Sequence, residues 1–142
     1  ALFAELAKAI VRDGEGATKF VEYKISSAEN HTQARKLGRF VANSKLVKTA
    51  LFGNDPNWGR LLSSLGSAGE AIDPRYVKIT YGGVVIFQAG EPTDPPMHLL
   101  REVARSAEIT IQIDLGLGHA TAIVWSCDLS YDYVKINAEY TT

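Results

Sequence analysis

The sequence has 142 residues, of which 46% are hydrophobic and 22% are charged, and its formal net charge is −1. These values are typical of one soluble globular domain with its own core. The balanced charge, with no basic stripe, argues against a nucleic-acid partner, and the longest apolar runs, such as residues 84–87, are too short to cross a membrane. The single cysteine, Cys127, cannot form an internal disulfide, so a reducing compartment such as the cytoplasm is expected.

The sequence opens within an amphipathic pattern. Leu2, Phe3, Leu6 and Ile10 fall at helical spacing, and no N-cap residue, initiator Met or signal peptide precedes them. We therefore expect this chain to be a piece of a longer product. The first helix is predicted to end at residues 13–14, where a glycine follows Asp13.

A strand and a helix are predicted next. Residues 17–27 alternate in part and predict a strand, whose core positions are Phe20, Tyr23 and Ile25. Asn30 is a suitable N-cap for a second helix, with Gln33 three residues later. The apolar stripe of that helix consists of Ala34, Leu37, Phe40 and Val41. The short apolar stretch of residues 46–52 predicts another strand.

A polar segment then introduces a third helix. Asp55 is predicted as its N-cap and Pro56 as its first residue, where the missing N–H has no cost. The apolar stripe of this helix is Trp58, Leu61, Leu62 and Leu65, and the helix ends at Gly66 to Gly69. This interpretation leaves Asn57 and Arg60 without a structural role.

The second half of the chain is predicted to be richer in strands. Val77, Ile79 and Tyr81 alternate with other residues and predict a strand. The Gly-Gly pair at residues 82–83 predicts a hairpin turn into a second strand over residues 84–87. Asp94 and Pro95, like Asp55 and Pro56, predict an N-cap followed by the first residue of a helix. This helix is predicted to run to about residue 106. Residues 109–115 alternate, and the glycines at 116 and 118 predict a hairpin into residues 119–127. A last strand is predicted over residues 133–139.

These elements predict a single α+β domain spanning residues 1–142. Strands and helices are interspersed and tight glycine turns join several strands, which favours a largely antiparallel sheet with helices packed on one side. The order of the strands within the sheet does not follow from the pattern.

Several short motifs have ordinary structural explanations. Residues 116–118 lack the third glycine and the following helix of a dinucleotide-binding motif. Residues 13–16 do not match the spacing of a calcium loop. The histidines lie on no recognisable ligand spacing, so no metal site is predicted; they are His31, His98 and His119.

Three segments are less easily explained by structure alone. In residues 13–19, two glycines flank Glu15, so the backbone could approach a small ligand while the carboxylate receives an ammonium group. Residues 54–60 are dense in polar side chains around a tryptophan. Residues 135–142 carry β-forming residues to the end of the sequence, which predicts a docked tail rather than a frayed one.

Five segments, in order, resemble the ornithine acetyltransferase family, also called bifunctional glutamate N-acetyltransferase. They are residues 10–19, 43–50, 53–60, 127–129 and 133–142. The resemblance implies a precursor that cleaves itself before a threonine into an α chain and a β chain. The new N-terminal threonine takes acetyl from N-acetylornithine and passes it to glutamate in arginine biosynthesis. A threonine hydroxyl can use its own α-amine as base.

The resemblance also implies what this chain lacks. The nucleophilic threonine belongs upstream of residues 13–19 and the oxyanion-hole residues belong to the α chain, so this chain alone is expected to be inactive and to contain no catalytic residue. It would form part of a larger layered α/β sandwich of the self-cleaving N-terminal-threonine type. The expected partners are the α chain and the remainder of the β chain, in a heterotetramer. No cofactor is expected, although some members accept acetyl-CoA as a co-substrate.

Three residues of this chain match the family's substrate ligands: Glu15, Asn137 and Thr142. Glu15 is expected to receive an ammonium of ornithine, while Asn137 and Thr142 position the amino-acid end. Two alternatives remain open. One is a related self-cleaving amidohydrolase or aminopeptidase that uses water as acceptor, and the other is a non-catalytic amino-acid-binding domain.

Overall fold

The computed structural model describes residues 2–13 and 16–130. Within them the chain forms helices and strands in mixed order, which confirms the predicted α+β fold. The helices are α1 (Leu2–Arg12), α2 (His31–Ala42), α3 (Lys45–Phe52), α4 (Trp58–Gly66) and α5 (Met97–Ala104), with a short 3-10 helix at Pro74–Tyr76. The strands are β1 (Phe20–Ala28), β2 (Lys78–Tyr81), β3 (Val84–Gln88), β4 (Glu91–Pro92), β5 (Glu108–Asp114) and β6 (Ala120–Cys127).

The six described strands form one mixed sheet in the order β4-β3-β2-β5-β1-β6. The neighbouring strands β1 and β5 are parallel. The other neighbours are antiparallel, so the predicted, largely antiparallel sheet is correct in outline but not purely antiparallel. A long connection through α2, α3, α4 and the β2–β3 hairpin separates β1 from β5, which is what a parallel pair requires.

The turn at residues 116–118 is not a hairpin, contrary to the prediction. β5 and β6 are not neighbours, because β1 lies between them. The chain instead crosses the end of β1, where the N–H groups of Leu117 and Gly118 both donate to the Ser27 carbonyl, at 2.8 and 2.9 Å. A glycine signal of this kind identifies a tight turn but not the strands that the turn joins.

The core lies on one face of the sheet. Tyr23 on β1, Ile111 on β5 and Tyr81 on β2 occupy one cross-strand row, and each is at most 1% exposed. Residues two positions apart along a strand share a face, so the alternation predicted for β5 is confirmed. On β1 the prediction is correct for Tyr23 and Ile25 but wrong for Phe20, which lies on the opposite face under Arg12 of α1. Helices α2 to α5 cover the core face and contribute these residues to the core: Ala34, Leu37, Val41, Ala42, Val47, Leu51, Leu61, Leu65, Leu100 and Ala104.

Helix α1 differs from the others. It lies on the opposite face, where the Lys8 ammonium stands 5.1 Å from the ring centroid of Trp125 and the Arg12 guanidinium 4.5 Å from that of Phe20. None of its residues is buried. The expectation that all helices pack on one side is therefore wrong for α1.

Residues 46–52 form a helix, not the predicted strand. Ser44 caps α3 by accepting a hydrogen bond from the Val47 N–H at 3.3 Å. The buried residues Val47, Ala50 and Leu51 follow the i, i+3, i+4 spacing of a helix. In so short an apolar run, periodicity alone does not separate a buried helix from a strand.

The predicted helix starts are partly confirmed. Asn30 caps α2, because its side-chain oxygen accepts a hydrogen bond from the Gln33 N–H at 2.8 Å. The cap of α4 is Asn57, not Asp55. The fifth helix begins after Pro96 with no side-chain cap, so the cap predicted at Asp94 is wrong as well.

Candidate functional site

A buried carboxylate joins the two ends of the described chain. Asp128 is 3% exposed, and its Oδ1 accepts hydrogen bonds from the N–H groups of Thr18, at 2.7 Å, and Lys19, at 3.0 Å. The Thr18 hydroxyl donates to Oδ2 of the same carboxylate. The sheet brings these residues together, because Phe20 at the start of β1 lies opposite Cys127 at the end of β6. A buried carboxylate needs such donors to offset its desolvation.

Lys19 fixes the same loop from the other side. The residue is 7% exposed, and its Nζ donates to the carbonyl oxygens of Ala104, at 3.0 Å, and Ser106, at 3.2 Å. Burial lowers the pKa of Lys19, and the nearby Asp128 carboxylate opposes that shift. The loop that carries residues 16–19 is thus tied both to the end of β6 and to the end of α5.

The residues after β6 extend this network. The Ser130 hydroxyl donates to the Gly16 carbonyl, and the Leu129 N–H donates to the Lys48 carbonyl at 3.2 Å. Three of the five segments that carry the family resemblance, residues 10–19, 43–50 and 127–129, are therefore in direct contact. We refer to Gly16, Thr18, Lys19, Asp128 and Ser130 as the Asp128 corner.

A fourth segment, residues 53–60, docks on α3. The Asn57 side chain accepts a hydrogen bond from the Arg60 N–H at 2.9 Å, and Arg60 Nη1 donates to the Leu46 carbonyl at 2.8 Å and approaches Thr49 Oγ1 at 3.3 Å. Asn57 and Arg60, unexplained by the sequence, thus have structural roles. Trp58 stacks on Phe87 with ring centroids 5.2 Å apart.

A small cleft of about 200 Å³ opens beside the Asp128 corner. Arg12 stands at the cleft with its guanidinium 3.1 Å from the Glu108 carboxylate. The cleft is lined by Arg12, Ala17, Thr18, Lys19, Phe20, Ala107 and Glu108. Charges of both signs at this opening are suited to a small zwitterion, which carries both an ammonium and a carboxylate.

The predicted substrate ligands Glu15, Asn137 and Thr142 lie outside the described residues, as does the strand predicted over 133–139. The structure does describe the neighbours of these segments. Gly16 follows Glu15 directly, and Ser130 precedes the tail; these two residues are hydrogen-bonded to each other.

Asp128 and Lys19 are the residues that sequence reasoning missed. Both belong to segments of the resemblance, but neither was given a role. The available signal was a carboxylate placed directly after a predicted strand, where a loop from a neighbouring strand can reach it. Their contact spans 109 residues of sequence, so no local pattern reveals it.

The described residues contain neither a candidate metal site nor a helix that could cross a membrane. Within residues 2–13 and 16–130, no group of three His, Cys, Asp or Glu side chains is placed to hold a metal ion. In the same residues, every helix is too short or too polar to cross a membrane.

Fold and site together define an α+β protein in which three separate segments meet at the Asp128 corner of a mixed sheet and a fourth docks on α3. The chain belongs to the ArgJ family, whose family model matches residues 1–142. This match confirms the family inferred from the five segments.

Curated relatives match this chain over nearly its whole length. The chain is 44% identical, over its whole length, to the arginine biosynthesis bifunctional protein ArgJ of Gloeobacter violaceus, of which it covers 35%. It is 41% identical, over 99% of its length, to the glutamate N-acetyltransferase of Methanosarcina mazei, of which it covers 37%. The chain thus spans little more than a third of the length of these relatives.

The fold agrees with a solved structure. The chain superposes on the crystal structure of the arginine biosynthesis bifunctional protein ArgJ from Bacillus halodurans with a TM-score of 0.91 and 38% sequence identity. The superposition covers 96% of this chain and 64% of that one.

Proposed function

We propose that this chain is one segment of an acyltransferase that moves acetyl from N2-acetyl-L-ornithine to L-glutamate in arginine biosynthesis. The Asp128 corner carries the proposal, because it anchors the glycine-rich loop on which the predicted ligand Glu15 lies. The relatives named for arginine biosynthesis and for glutamate N-acetylation support the reaction.

The roles of the chain in this reaction concern binding rather than bond-making. Glu15 receives an ammonium group of ornithine, and Asn137 and Thr142 position the amino-acid end of the substrate. The nucleophilic threonine, on which the covalent acetyl intermediate forms, lies outside this chain. A rigid loop is useful here, because a ligand carboxylate held in place loses less entropy when substrate binds.

The partners that we propose are the α chain and the remainder of the β chain of the same precursor, assembled as a heterotetramer. Helix α1 supports this proposal. Its apolar side chains are strongly exposed, with Leu2 at 72%, Phe3 at 87% and Ile10 at 74%, and Ile123 on the same face of the sheet is 56% exposed. Strongly exposed apolar side chains of this kind are characteristic of an interface. The free Cys127 is consistent with a reducing compartment, and we place the enzyme in the cytoplasm.

A charge-removing substitution tests the role of Glu15. In the complete enzyme, Glu15→Gln should lower kcat/KM for acetylornithine about ten- to a hundredfold, because it removes one charge-assisted contact. Glu102→Gln, an exposed residue of α5, is the matched control and should leave kcat/KM unchanged. Unchanged kinetics in the Glu15 variant would remove this residue from the site.

The fate of the acetyl group separates the proposal from its rivals. A transferase should give N-acetylglutamate from acetylornithine and glutamate, with little free acetate. Release of acetate that does not depend on glutamate would identify an amidohydrolase. Binding of ornithine by the complete protein without turnover would identify a non-catalytic binding domain.

A further inference from the structure

A cationic groove lies between α2 and α4, and no residue of the Asp128 corner lines it. One wall is a single face of α2, which presents Arg35, Lys36 and Arg39. The other wall is the matching face of α4, which presents Arg60 and a series of serine hydroxyls. The groove has a volume of about 780 Å³, within the range of small-molecule sites.

The groove has an excess of positive charge. Its lining contains four cationic side chains and no Asp or Glu. Lys36 is partly balanced by Glu70, whose carboxylate lies 3.6 Å from its Nζ. Within the described residues the guanidinium groups of Arg35 and Arg39 have no hydrogen-bond or ion-pair partner. Arg60 uses only Nη1 for its contacts with α3 and retains further donors.

This charge arrangement is unfavourable for the helix itself. Arg35 and Arg39 stand at the i, i+4 spacing, where like charges repel. The balanced net charge of the sequence does not reveal this local concentration of cations on α2. Both arginines are exposed and therefore solvated, and an anion in the groove would relieve their repulsion.

The hydroxyl of Ser64 on α4 is buried. Ser64, in the lining of the groove, is 7% exposed, and its Oγ has no hydrogen-bond partner among the described residues. A buried polar atom without a partner is destabilising. Because this Oγ is closed off from the groove, the exposed cationic side chains, and not Ser64, support an anionic ligand.

We propose that the α2–α4 groove binds an organic diphosphate, such as a nucleoside diphosphate. Three cations remain after the Lys36–Glu70 pair, and a diphosphate can balance them, whereas a dicarboxylic amino acid carries a net charge of only −1. Guanidinium groups form paired hydrogen bonds with phosphate oxygens. Phe40, 42% exposed, and Leu46, 63% exposed, provide an apolar wall for the organic part of the ligand.

Calorimetric titration of the complete protein with ADP tests the proposal. ADP should bind with an affinity that falls as salt is added, and inorganic pyrophosphate should compete with it, since the diphosphate supplies most of the contacts. Adenosine should bind at least about tenfold more weakly, because it lacks the charged groups. L-Glutamate should not displace ADP.

Variants locate the site. Arg39→Gln should weaken ADP binding at least about tenfold, and the double change Arg35→Gln with Arg39→Gln should abolish it. Arg101→Gln, an exposed change on α5, is the control and should have no effect. No binding of ADP to the wild-type protein, equal binding by the double variant, or full displacement of ADP by L-glutamate would each overturn the proposal. These readouts are independent of acetyl transfer.

Discussion

The Asp128 carboxylate accepts a hydrogen bond of 2.7 Å from the Thr18 N–H across 110 residues of sequence. This contact connects the loop before the first strand to the residue after the last described strand. It fixes the backbone three residues away from Glu15, the ligand proposed for ornithine. The stability of the fold and the position of residues 16–19 therefore depend on the same side chain.

Replacing this carboxylate should affect both properties. Asp128→Asn can keep one oxygen on the N–H groups of Thr18 and Lys19, but it loses the charge and turns an amide donor toward the Thr18 hydroxyl, and we expect a loss of about 1.5–3 kcal/mol in the free energy of unfolding. Urea denaturation measures this loss, and KM for acetylornithine should rise in parallel. The exposed Asp94→Asn is the control and should change neither quantity. A stable variant with normal kinetics would show that the corner is not needed to hold the loop.

The start of α4 offers a direct comparison of two neighbouring residues. Asn57→Ala removes the side-chain oxygen that caps the helix and should lower stability by about 0.5–2 kcal/mol. Asp55→Ala should have a smaller effect, because the Asp55 carboxylate only accepts an exposed hydrogen bond from the Asn57 amide, at 3.0 Å. Thermal denaturation of both variants checks the order; the reverse order would restore Asp55 as the cap.

Two glycines in helices should respond oppositely to alanine. A Cβ at Gly38 would lie 2.8 Å from Val124 Cγ2 and 3.2 Å from Ile25 Cγ1, so Gly38→Ala should cost about 1–3 kcal/mol as α2 is pushed from the sheet. A Cβ at Gly66 would meet nothing within 4 Å, and Gly66→Ala should be neutral or stabilising by up to about 1 kcal/mol. Equal denaturation midpoints in the two variants would contradict this close approach of α2.

Lys19 makes stability depend on pH. Burial lowers its pKa, an effect that Asp128 opposes, so the folded protein releases this proton at a lower pH than the unfolded chain. Between the two pKa values the unfolded state binds more protons, and the free energy of unfolding rises with pH. The difference in stability between wild type and Lys19→Met should therefore move in favour of wild type from about pH 7 to about pH 10. A difference that falls over this range would contradict the direction of the shift.

Local patterns predicted the elements well where the pattern was long or the turn chemistry specific. The alternation of β5 and the Asn30 cap of α2 are examples, and Gly82-Gly83 forms the predicted turn with both residues at positive φ. Helix α3 was predicted as a strand, because its eight residues are too few to distinguish a helical periodicity from a strand periodicity. Both Asp55 and Asn57 are suitable N-cap residues for α4. Which of them caps the helix depends on where its first turn begins.

Relationships between distant segments could not be predicted in the same way. The parallel pairing of β1 with β5, and the position of β1 between β5 and β6, depend on tertiary packing rather than on any short motif. The same holds for the site. Resemblance identified the segments that contact one another, but the buried charges that bind them, Asp128 and Lys19, became evident only from the contacts themselves.

The position of β1 between β5 and β6 has a consequence for how the chain folds. β1 is synthesised before both of its hydrogen-bonded neighbours, which follow about ninety to a hundred residues later. Closing loops of this length before their contacts form gives a high contact order and slow folding. Until β5 and β6 emerge from the ribosome, both edges of β1 lack their native partners. A nascent chain that ends before residue 108 therefore contains β1 without either of the two strands that pair with it.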